Sequence, residues 1–392
     1  MAGADRDAWV SSGLAALSGP PPGGRLGPPE RLLSGVADRG RRIREITASW
    51  GRPVDRDWLG LLTRRAEIEH LTVRGRTSCG GAAHLMQAQD GWVAVNLARS
   101  SDLELLPAWL ALAGDPEECP VPAAPTGPPD ERWRADDRIR PDLERRVRRL
   151  PGAALAEAAA VVGLPVGVLG EREPDLHAGV TVHRFAGPVE PGPPRRVVDL
   201  SSLWAGPLCG SLLAACGAEV VKVADRRRPD GARSGHPDWY RFLNGEKVHR
   251  ELALDTAAGR ADLLALIAGA DVVIESARPR GLQQLGIDAE EVMRGPGGPR
   301  VWVSITGHGR RSTRVAFGDD AAVSGGLVVH GDDGPWFCGD AIADPLSGMA
   351  ATDASLSCLA AGTRGLIEVS MAGVAAAHAG ATLPVPLAGR VL

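Results

Sequence analysis

The chain has 392 residues, 44% of them hydrophobic, which is enough for two domains with cores of their own. A formal net charge of -4 gives no basic footprint, so binding to nucleic acid is not expected. The 6 cysteines show neither a C-x-x-C pair nor a spacing with histidines, so we expect no metal site and no disulfide framework, and a cytoplasmic location fits best. No stretch approaches the ~20 apolar residues of a membrane span, and the first residues lack the pattern of a signal peptide.

Two segments rich in proline and glycine interrupt the sequence. Residues 17–32 are unsuited to helix or strand, and we assign residues 1–49 to an N-terminal arm or linker. Residues 185–196 form the second interruption, where we place a domain boundary. Residues 50–185 are expected to form a smaller α/β domain.

The pattern between the two interruptions is mixed. Apolar residues recur at helical spacing in "RRIREITASWG" and "RDWLGLLTRRAEIEHL", and "GGAAHLMQAQDGWVAVNLA" predicts two strands joined by an Asp-Gly turn. A loop is expected over residues 119–131. Residues 140–150 and 154–169 predict two helices and a short strand, with Gly163 ending the second helix.

After residue 196, strands and helices alternate regularly. Strands are predicted at 196–200, 218–223, 271–276, 301–307 and 365–371, and helices at 206–217, 257–270 and 344–362. This alternation predicts βαβ units, in which parallel strands are covered by helices on both faces of the sheet. We therefore expect an α/β fold in which residues 195–392 form a large domain with a Rossmann-like parallel sheet.

The loop of residues 201–206 joins the first strand of this large domain to its first helix. Free N–H groups at such a helix start lie beyond the carboxyl end of the strand, where α/β sheets bind ligands and where anions are favoured. An ordinary βα turn is the simpler interpretation, because neither G-x-G-x-x-G nor a Walker A motif occurs.

The same region carries a resemblance to a known family. "DLSSLWAGPLCGSLLAACGAEVVKV" resembles the opening motif of the family III CoA-transferases. Four further segments resemble the family in its own order: "FLNGEKVHRELALD", "GRADLLALIAGADVVIESARPRGLQQLGID", "VWVSITGHG" and "CGDAIADPLSGMAA". The last has the family spacing, with Gly339 five residues before Asp344 and Gly348 four residues after it. The resemblance covers about residues 195–375.

The first half of the chain resembles the family out of order. Residues 89–112 and 154–169 are similar to the family's small domain, which normally follows the catalytic aspartate. Here they precede the large domain, so the chain resembles a circularly permuted member. Such a permutation is feasible where the original chain ends lie close together on the surface.

The resemblance implies an acyl-CoA:carboxylate CoA-transferase with Asp344 as the catalytic nucleophile. CoA and acyl-CoA are then substrates, together with a carboxylic acid, and no cofactor is expected to be permanently bound. The carboxylate attacks the acyl-CoA carbonyl, forms a mixed anhydride and is then converted to an enzyme-CoA thioester. Small neighbours such as Ala343, Ser347 and Gly348 leave the carboxylate open to approach. From the residues alone, the favoured interpretation of Asp344 is an N-cap that precedes Pro345 at the start of a helix.

The resemblance also implies which residues contact CoA. They are Leu203, Trp204, Ala205, Lys247, Arg278 and Arg226. Lys222 and Lys247 are the only lysines in an arginine-rich chain, and arginines are suited to phosphates because they pair with them in a bidentate manner. The CoA-contacting loop at residues 276–280 keeps only the Arg-Pro of the family's Asn-Phe-Arg-Pro-Gly, and Ala224 stands where the family usually has glutamate.

Two other functions remain open. An α-methylacyl-CoA racemase shares the fold but needs an acid and a base on opposite faces of the substrate, and Asp319 stands where that subfamily has a histidine. A non-catalytic CoA-binding protein would account for the altered loop, although it would not need Asp344 between its two glycines. His308, in "TGHGRR", is a further but weaker catalytic candidate. Members of the family form dimers, so a homodimer is expected, with the interlocking of its chains left open by the permutation.

Overall fold

The computed structural model describes residues 3–117, 119, 139–175, 177–187, 189–276 and 279–380. Most of the loop expected at 119–131 and the CoA-contacting candidate Arg278 lie outside these residues.

The described residues of the first half form six α-helices, one short 3₁₀ helix (Leu14–Leu17) and four strands. They are α1 (Gly3–Ser11), α2 (Leu32–Ser49), α3 (Gly60–Ile68), β1 (Ala83–Gln87), β2 (Trp92–Asn96), α4 (Ser100–Leu112), α5 (residues 139–147), α6 (Gly152–Val162), β3 (Val166–Val168) and β4 (Val180–Phe185). The predicted hairpin and the helix ended by Gly163, which has a φ of 80°, are confirmed.

The second half alternates between strands and helices over most of its length. Its elements are β5 (Arg196–Asp199), α7 (Ala205–Ala215), β6 (Glu219–Asp225), α8 (Gly231–Gly235), α9 (Pro237–Asn244), β7 (Val248–Leu252), α10 (Ala257–Ala268), β8 (Val272–Glu275), α11 (Pro279–Gln283), α12 (Ala289–Arg294), β9 (Val301–Thr306), α13 (Gly318–Ser324), β10 (Val328–Gly331), β11 (Gly334–Phe337), α14 (Ala343–Ala360), β12 (Arg364–Ser370) and α15 (Met371–Ala379).

A seven-stranded sheet organises the molecule, with the strand order β4-β12-β9-β8-β5-β6-β7. All neighbours in it are parallel except β4, which pairs with β12 in the antiparallel sense. The predicted α/β class and the five predicted parallel strands are confirmed. Strand β7 was not predicted because its residues, at the edge of the sheet, are almost all exposed and so show no apolar pattern.

Helices cover both faces of this sheet. Val197 and Ile274 point to one face, where they share a core with α2, α7 and α14. Val198 and Trp302 point to the other face, towards α10 and α12. Successive strand residues alternate between two buried faces, which explains why the strands are continuous apolar runs in the sequence.

The N-terminal segment is part of the main core rather than an arm. Trp9, Leu14, Leu32 and Ile43 are at most 1% exposed and pack in the same cluster as the residues of α7 and α14. The apolar residues of α2 recur at helical spacing and form the stripe that contacts α14. The proline- and glycine-rich residues 17–32 interrupt the helices of this segment, but the segment on both sides of them packs in the core.

Residues 50–185 contribute to two sheets. Strands β1, β2 and β3 form a small antiparallel sheet, which packs on α4 and α6 on one side and on α13 on the other. Strand β4, however, lies at the edge of the large sheet. The large sheet is therefore not built from residues 195–392 alone, and the division into domains stays a prediction. No helix among the described residues is long and apolar enough to cross a membrane.

Candidate active site

Asp344 lies in the first turn of α14, directly after a tight turn formed by residues 338–342. Gly339 and Ala341 in this turn have φ angles of 68° and 42°. A positive φ is costly for alanine, and such strain persists only where the surroundings enforce it. The helix begins at Ala343, so Asp344 is inside the first turn and not at the N-cap position. The interpretation of Asp344 as an ordinary N-cap therefore does not hold.

Two side chains from distant parts of the chain hold the turn. Asp340 is fully buried, and its carboxylate receives two hydrogen bonds from Arg65 on α3, one of them from Nε to Oδ2 at 2.7 Å. Asp319 on α13 accepts a hydrogen bond from the N–H of Ala341 at 2.9 Å. The bidentate ion pair and this hydrogen bond explain how the strained backbone is maintained.

Three carboxyl groups, those of Asp319, Asp340 and Asp344, therefore lie around the guanidinium of Arg65. We call these four residues the Asp344 cluster. Burial raises the pKa of Asp344 to about 7; the positive charge of Arg65 opposes this rise, and the two other carboxylates add to it. Burial and the charge of Asp340 raise the pKa of Asp319 to about 6. Asp344 as a residue is half-buried, in contrast to the buried Asp319 and Asp340. A carboxyl group that titrates near neutral pH is typical of a functional site.

Gly318, the first residue of α13, leaves room for the Asp344 carboxylate. A side chain there would place its Cβ 2.3 Å from Asp344 Oδ2, so only glycine fits. The Gly318 N–H donates a hydrogen bond to Asp344, which favours the ionised form. Gly348 has a different role from the one expected. Its Cβ would meet the Ala205 carbonyl oxygen at 2.6 Å, so this glycine allows α14 to pack closely on α7.

The loop expected to contact CoA lies at the carboxyl end of β5. Leu203 has a φ of 68° and is 41% exposed, and its N–H donates to both carboxylate oxygens of Asp230 at 3.2 Å. Trp204 is buried and packs edge to face on Trp239, with ring centroids 4.8 Å apart. Ala205 is buried as the first residue of α7. Only Leu203 of these three candidates offers a side chain to a ligand in solution.

Both lysines lie in a second group of buried charges. We call Asp199, Lys222, Asp230 and Lys247 the lysine cluster. Lys247 Nζ donates to Asp199 Oδ2 and to the Pro207 carbonyl at 2.8 Å each, and to Asn244 Oδ1 at 2.9 Å. These bonds use all three of its N–H groups, so the structure does not leave Lys247 free to bind a phosphate.

The partners of Lys222 are equally internal. Its ammonium donates to the carbonyl oxygen of Ser201 and lies 3.6 Å from Asp199 and 3.7 Å from Asp230. Burial favours the neutral form of Asp199, but Lys222 and Lys247 outweigh this effect and hold its pKa below the usual range. The lysine cluster thus holds the loop of residues 201–206 in place through buried contacts.

The remaining candidates lie on the rim of this loop. Arg226 is exposed and follows β6 directly. Ser276, at the start of the altered CoA-contacting loop, accepts a hydrogen bond from the Ser202 N–H at 3.1 Å. The loops after β5, β6 and β8 therefore meet at the carboxyl edge of the sheet. His308 is largely buried, and burial lowers its pKa to about 4, which does not suit a base at neutral pH.

Arg65 and Asp340 were missed by the sequence analysis. Arg65 stands beside Arg64 in a helix whose only visible signal is apolar periodicity, so nothing distinguished it. Asp340 lies within the motif of Asp344, but the motif spacing is defined by Gly339, Asp344 and Gly348 alone. Arg65 also lies over the ring of Trp204, 5.0 Å from its centroid, and thereby connects the CoA-side loop to the Asp344 cluster.

A cavity of about 770 Å³ lies at the opposite edge of the sheet, at the amino ends of the strands. Two arginines that line the cavity donate hydrogen bonds to backbone carbonyl oxygens. Arg300 donates to that of Glu190 at 2.7 Å, and Arg364 donates to that of Gly295 at 2.9 Å. Ligands of parallel sheets bind at the carboxyl ends of strands, so we place the site at Asp344. Within the described residues, no group of histidine, cysteine or acidic side chains is arranged to hold a metal ion.

Several known CoA-transferases are similar in sequence to part of this chain. The chain is 33% identical over 188 residues to the succinyl-CoA–D-citramalate CoA-transferase of Chloroflexus aurantiacus, covering 43% of this chain and 46% of that protein. It is 32% identical over 173 residues to the succinate–glutarate CoA-transferase of Agrobacterium fabrum, covering 39% and 43%. The chain thus spans less than half the length of these relatives.

Among solved structures, a CaiB/BaiF family protein from Brucella suis is 26% identical, with a TM-score of 0.42 over 46% of this chain and 53% of that one. The family model described as CoA-transferase family III matches residues 195–390, which is half of the chain and includes Asp344. The chain belongs to CoA-transferase family III.

Proposed function

We propose that this protein is an acyl-CoA:carboxylate CoA-transferase in which Asp344 is the nucleophile. One observation carries the proposal: in the family-matched half, Asp344 is a half-buried residue that directly follows a strained turn, beside Gly318, and burial raises the pKa of its carboxyl group to about 7. The relatives whose names describe CoA transfer support the reaction class.

The reaction divides one acyl transfer into steps of covalent catalysis. The Asp344 carboxylate attacks the thioester carbonyl, and the C–S bond breaks. The CoA thiolate departs, and a mixed anhydride of the donor acyl group and Asp344 remains. The thiolate then attacks the aspartyl carbonyl, the donor carboxylate leaves, and an enzyme-CoA thioester remains. The acceptor carboxylate displaces the thiolate to give a second anhydride, from which the thiolate takes the new acyl group and regenerates Asp344.

The residues around Asp344 suit these steps. The Gly318 N–H, which faces the Asp344 carboxylate, can donate to the oxyanion that develops at either carbonyl. The loop that carries Leu203 lies at the start of α7, which packs against α14 beside Asp344. We propose that this loop and Arg226 hold CoA, while the lysine cluster keeps the loop in place.

Intact-mass measurement tests the covalent mechanism directly. The names of both relatives contain succinyl-CoA or succinate, so succinyl-CoA heads a panel of acyl-CoA donors. The wild-type protein should gain the mass of CoA, and peptide mapping should place it on Asp344. Asp344→Asn should show no adduct and should lose turnover more than about 10³-fold, as expected when a covalent nucleophile is removed.

Asp332→Asn is the matched control, because Asp332 is an exposed carboxylate in the turn between β10 and β11. It should form the adduct at the wild-type rate. A fully active Asp344→Asn protein, or an adduct on another residue, would contradict the proposal.

One observation favours a second candidate, the α-methylacyl-CoA racemase. Asp319 and Asp344 are neighbouring carboxyl groups with pKa values raised to about 6 and 7, and both are suited to proton transfer near neutral pH. A racemase would exchange the α-hydrogen of the acyl group with deuterated solvent and would never attach CoA to the protein. Exchange without an adduct would therefore replace the transferase proposal.

We further propose that the chain is a circularly permuted member of its family and forms a homodimer. The small antiparallel sheet precedes the family-matched residues in the chain and packs against α13 of the catalytic half, which supports the permutation. Sedimentation at micromolar concentration should show a dimer, and a monomer under these conditions would refute it.

A further inference from the structure

Arg65 reaches the Asp344 cluster from outside the family-matched residues. It lies on α3, whereas the family model begins at residue 195. Its guanidinium binds both oxygens of Asp340 through Nε and Nη2, and its side chain is only 18% exposed. A contact between residues this far apart in sequence is a product of the tertiary fold.

This contact controls the turn before Asp344. Asp340 is fully buried and stands between Gly339 and Ala341, the two residues with positive φ. Without Arg65 the Asp340 carboxylate would be a buried charge without a cationic partner, and the turn would be expected to rearrange so as to expose it. Asp344 lies three residues after Ala341, and its position follows from this turn because its N–H donates to the Ala341 carbonyl.

The charges around Asp344 come from three elements. Arg65 on α3 is the cation that acts most strongly on it, while Asp319 on α13 and Asp340 in the turn are the opposing anions. The Cys79 thiol packs on the same turn, 3.6 Å from the Gly339 carbonyl oxygen, and stays neutral because burial raises its pKa above the usual range. Arg65 is therefore the cation that favours the carboxylate form of Asp344 against burial and two like charges, together with the weaker effect of the Gly318 N–H.

We propose that Arg65 is a positioning residue for Asp344, which pins the turn through Asp340 and supplies the positive charge that keeps Asp344 available as a carboxylate. Its catalytic meaning rests on the proposed function, but its effect on Asp344 can be measured without turnover. The catalytic centre of this chain is then incomplete without α3, which lies outside the family-matched residues.

The test is the pH dependence of Asp344 modification. A carbodiimide with a small amine reacts with a protonated carboxyl group, and peptide mass spectrometry measures the rate at Asp344. In wild-type protein the rate should fall with a midpoint near pH 7. In Arg65→Gln the midpoint should rise by roughly one pH unit or more, because a nearby cation lowers a carboxyl pKa by about that amount.

Two matched variants separate charge from geometry. Arg65→Lys keeps the charge but loses the bidentate pair, so its midpoint should stay near that of the wild type while CoA-adduct formation slows about tenfold. Arg64→Gln changes the adjacent arginine, whose side chain is 47% exposed and pairs with Glu67 at 2.8 Å, and it should match the wild type in both measurements.

The outcomes are distinguishable. A one-unit shift lowers the ionised fraction of Asp344 at pH 7 from about a half to about a tenth, so adduct formation in Arg65→Gln should slow roughly fivefold and recover by about pH 9. A folded Arg65→Gln with an unchanged midpoint would overturn the proposal. If that variant does not fold, an Arg65→Lys protein with wild-type adduct formation would overturn it instead. Absence of any adduct in the wild type would refute the proposed function and leave the modification midpoint to judge Arg65.

Discussion

The lysine cluster and the Asp344 cluster are two groups of buried charges that differ in balance. In the lysine cluster two lysines face two aspartates, and every N–H of Lys247 has an acceptor. In the Asp344 cluster three carboxyl groups face a single arginine. Both lie at the carboxyl edge of the large sheet, and Arg65 stacked on Trp204 lies between them.

This difference in balance moves the carboxyl pKa values in opposite directions. The lysines hold the pKa of Asp199 below its usual range in spite of burial, whereas burial and like charges raise the pKa of Asp344 to about 7. In the balanced lysine cluster Asp199 therefore stays ionised at physiological pH, which suits a structural role. An acid-rich group titrates near neutral pH and can serve chemistry.

Breaking the balanced cluster should have the largest effect on stability. Lys247→Met leaves the fully buried Asp199 with only the more distant Lys222. Removing one partner of a buried ion pair costs about 3–5 kcal/mol, so the free energy of unfolding in urea should fall by that amount. The double variant Asp199→Asn with Lys247→Met should cost less than the sum of the single changes.

The control for this change is Arg227→Met. Arg227 forms an exposed ion pair with Asp255 at 2.9 Å, and its loss should cost less than about 1 kcal/mol. Equal losses for Lys247→Met and Arg227→Met would mean that the lysine cluster has no structural role.

Neutralising Asp344 in the Asp344 cluster should instead raise the free energy of unfolding. Asp344 stays protonated in the folded chain up to about pH 7, whereas an aspartate in the unfolded chain titrates near pH ~4. Between these pH values the folded state binds the extra proton, so the free energy of unfolding falls as the pH rises. Asp344→Asn removes the part of this fall that Asp344 causes, and a pKa raised from ~4 to about 7 corresponds to a gain of up to about 4 kcal/mol at pH 8, with little gain at pH 4.

Denaturation in urea across this pH range measures the difference. Asp319 and Asp320 should preserve part of the fall in the variant, because burial raises their pKa values to about 6 and about 7. If Asp344 only stabilised the helix end, Asn would leave stability unchanged at every pH, and Ala would cost about 1 kcal/mol. A gain in stability together with a loss of activity is what a functional, destabilised carboxyl group predicts.

The smallest effect is expected at the rim of the lysine cluster. Arg226→Ala removes an exposed side chain and should leave the unfolding transition unchanged. If Arg226 binds a phosphate of CoA, the KM for acyl-CoA should rise by a few-fold, since an exposed ion pair contributes less than about 1 kcal/mol. The KM for the corresponding acyl-pantetheine, which lacks the nucleotide phosphates, should not change; an equal rise for both would exclude the phosphate contact.

The five strands and three helices predicted in the second half were accessible from the sequence because their signals are local. Strand β5 is a short apolar run, and α7 ends two residues before Gly217, which has a φ of 94°. Elements without such signals were missed. Strand β4 is almost wholly exposed at the edge of the large sheet, and α1 packs into the main core although the sequence indicated an arm.

The sequence by itself determined the alternation of strands and helices, the family motifs and the position of Asp344 in the chain, because periodicity and spacing are properties of neighbouring residues. Only the tertiary structure decided that Arg65 contacts Asp340, 275 residues away. It also decided that all three N–H groups of Lys247 donate to acceptors inside the protein and are not available to CoA. Such pairings depend on which buried charges the packing of helices brings together, and burial sets their energies and their pKa values.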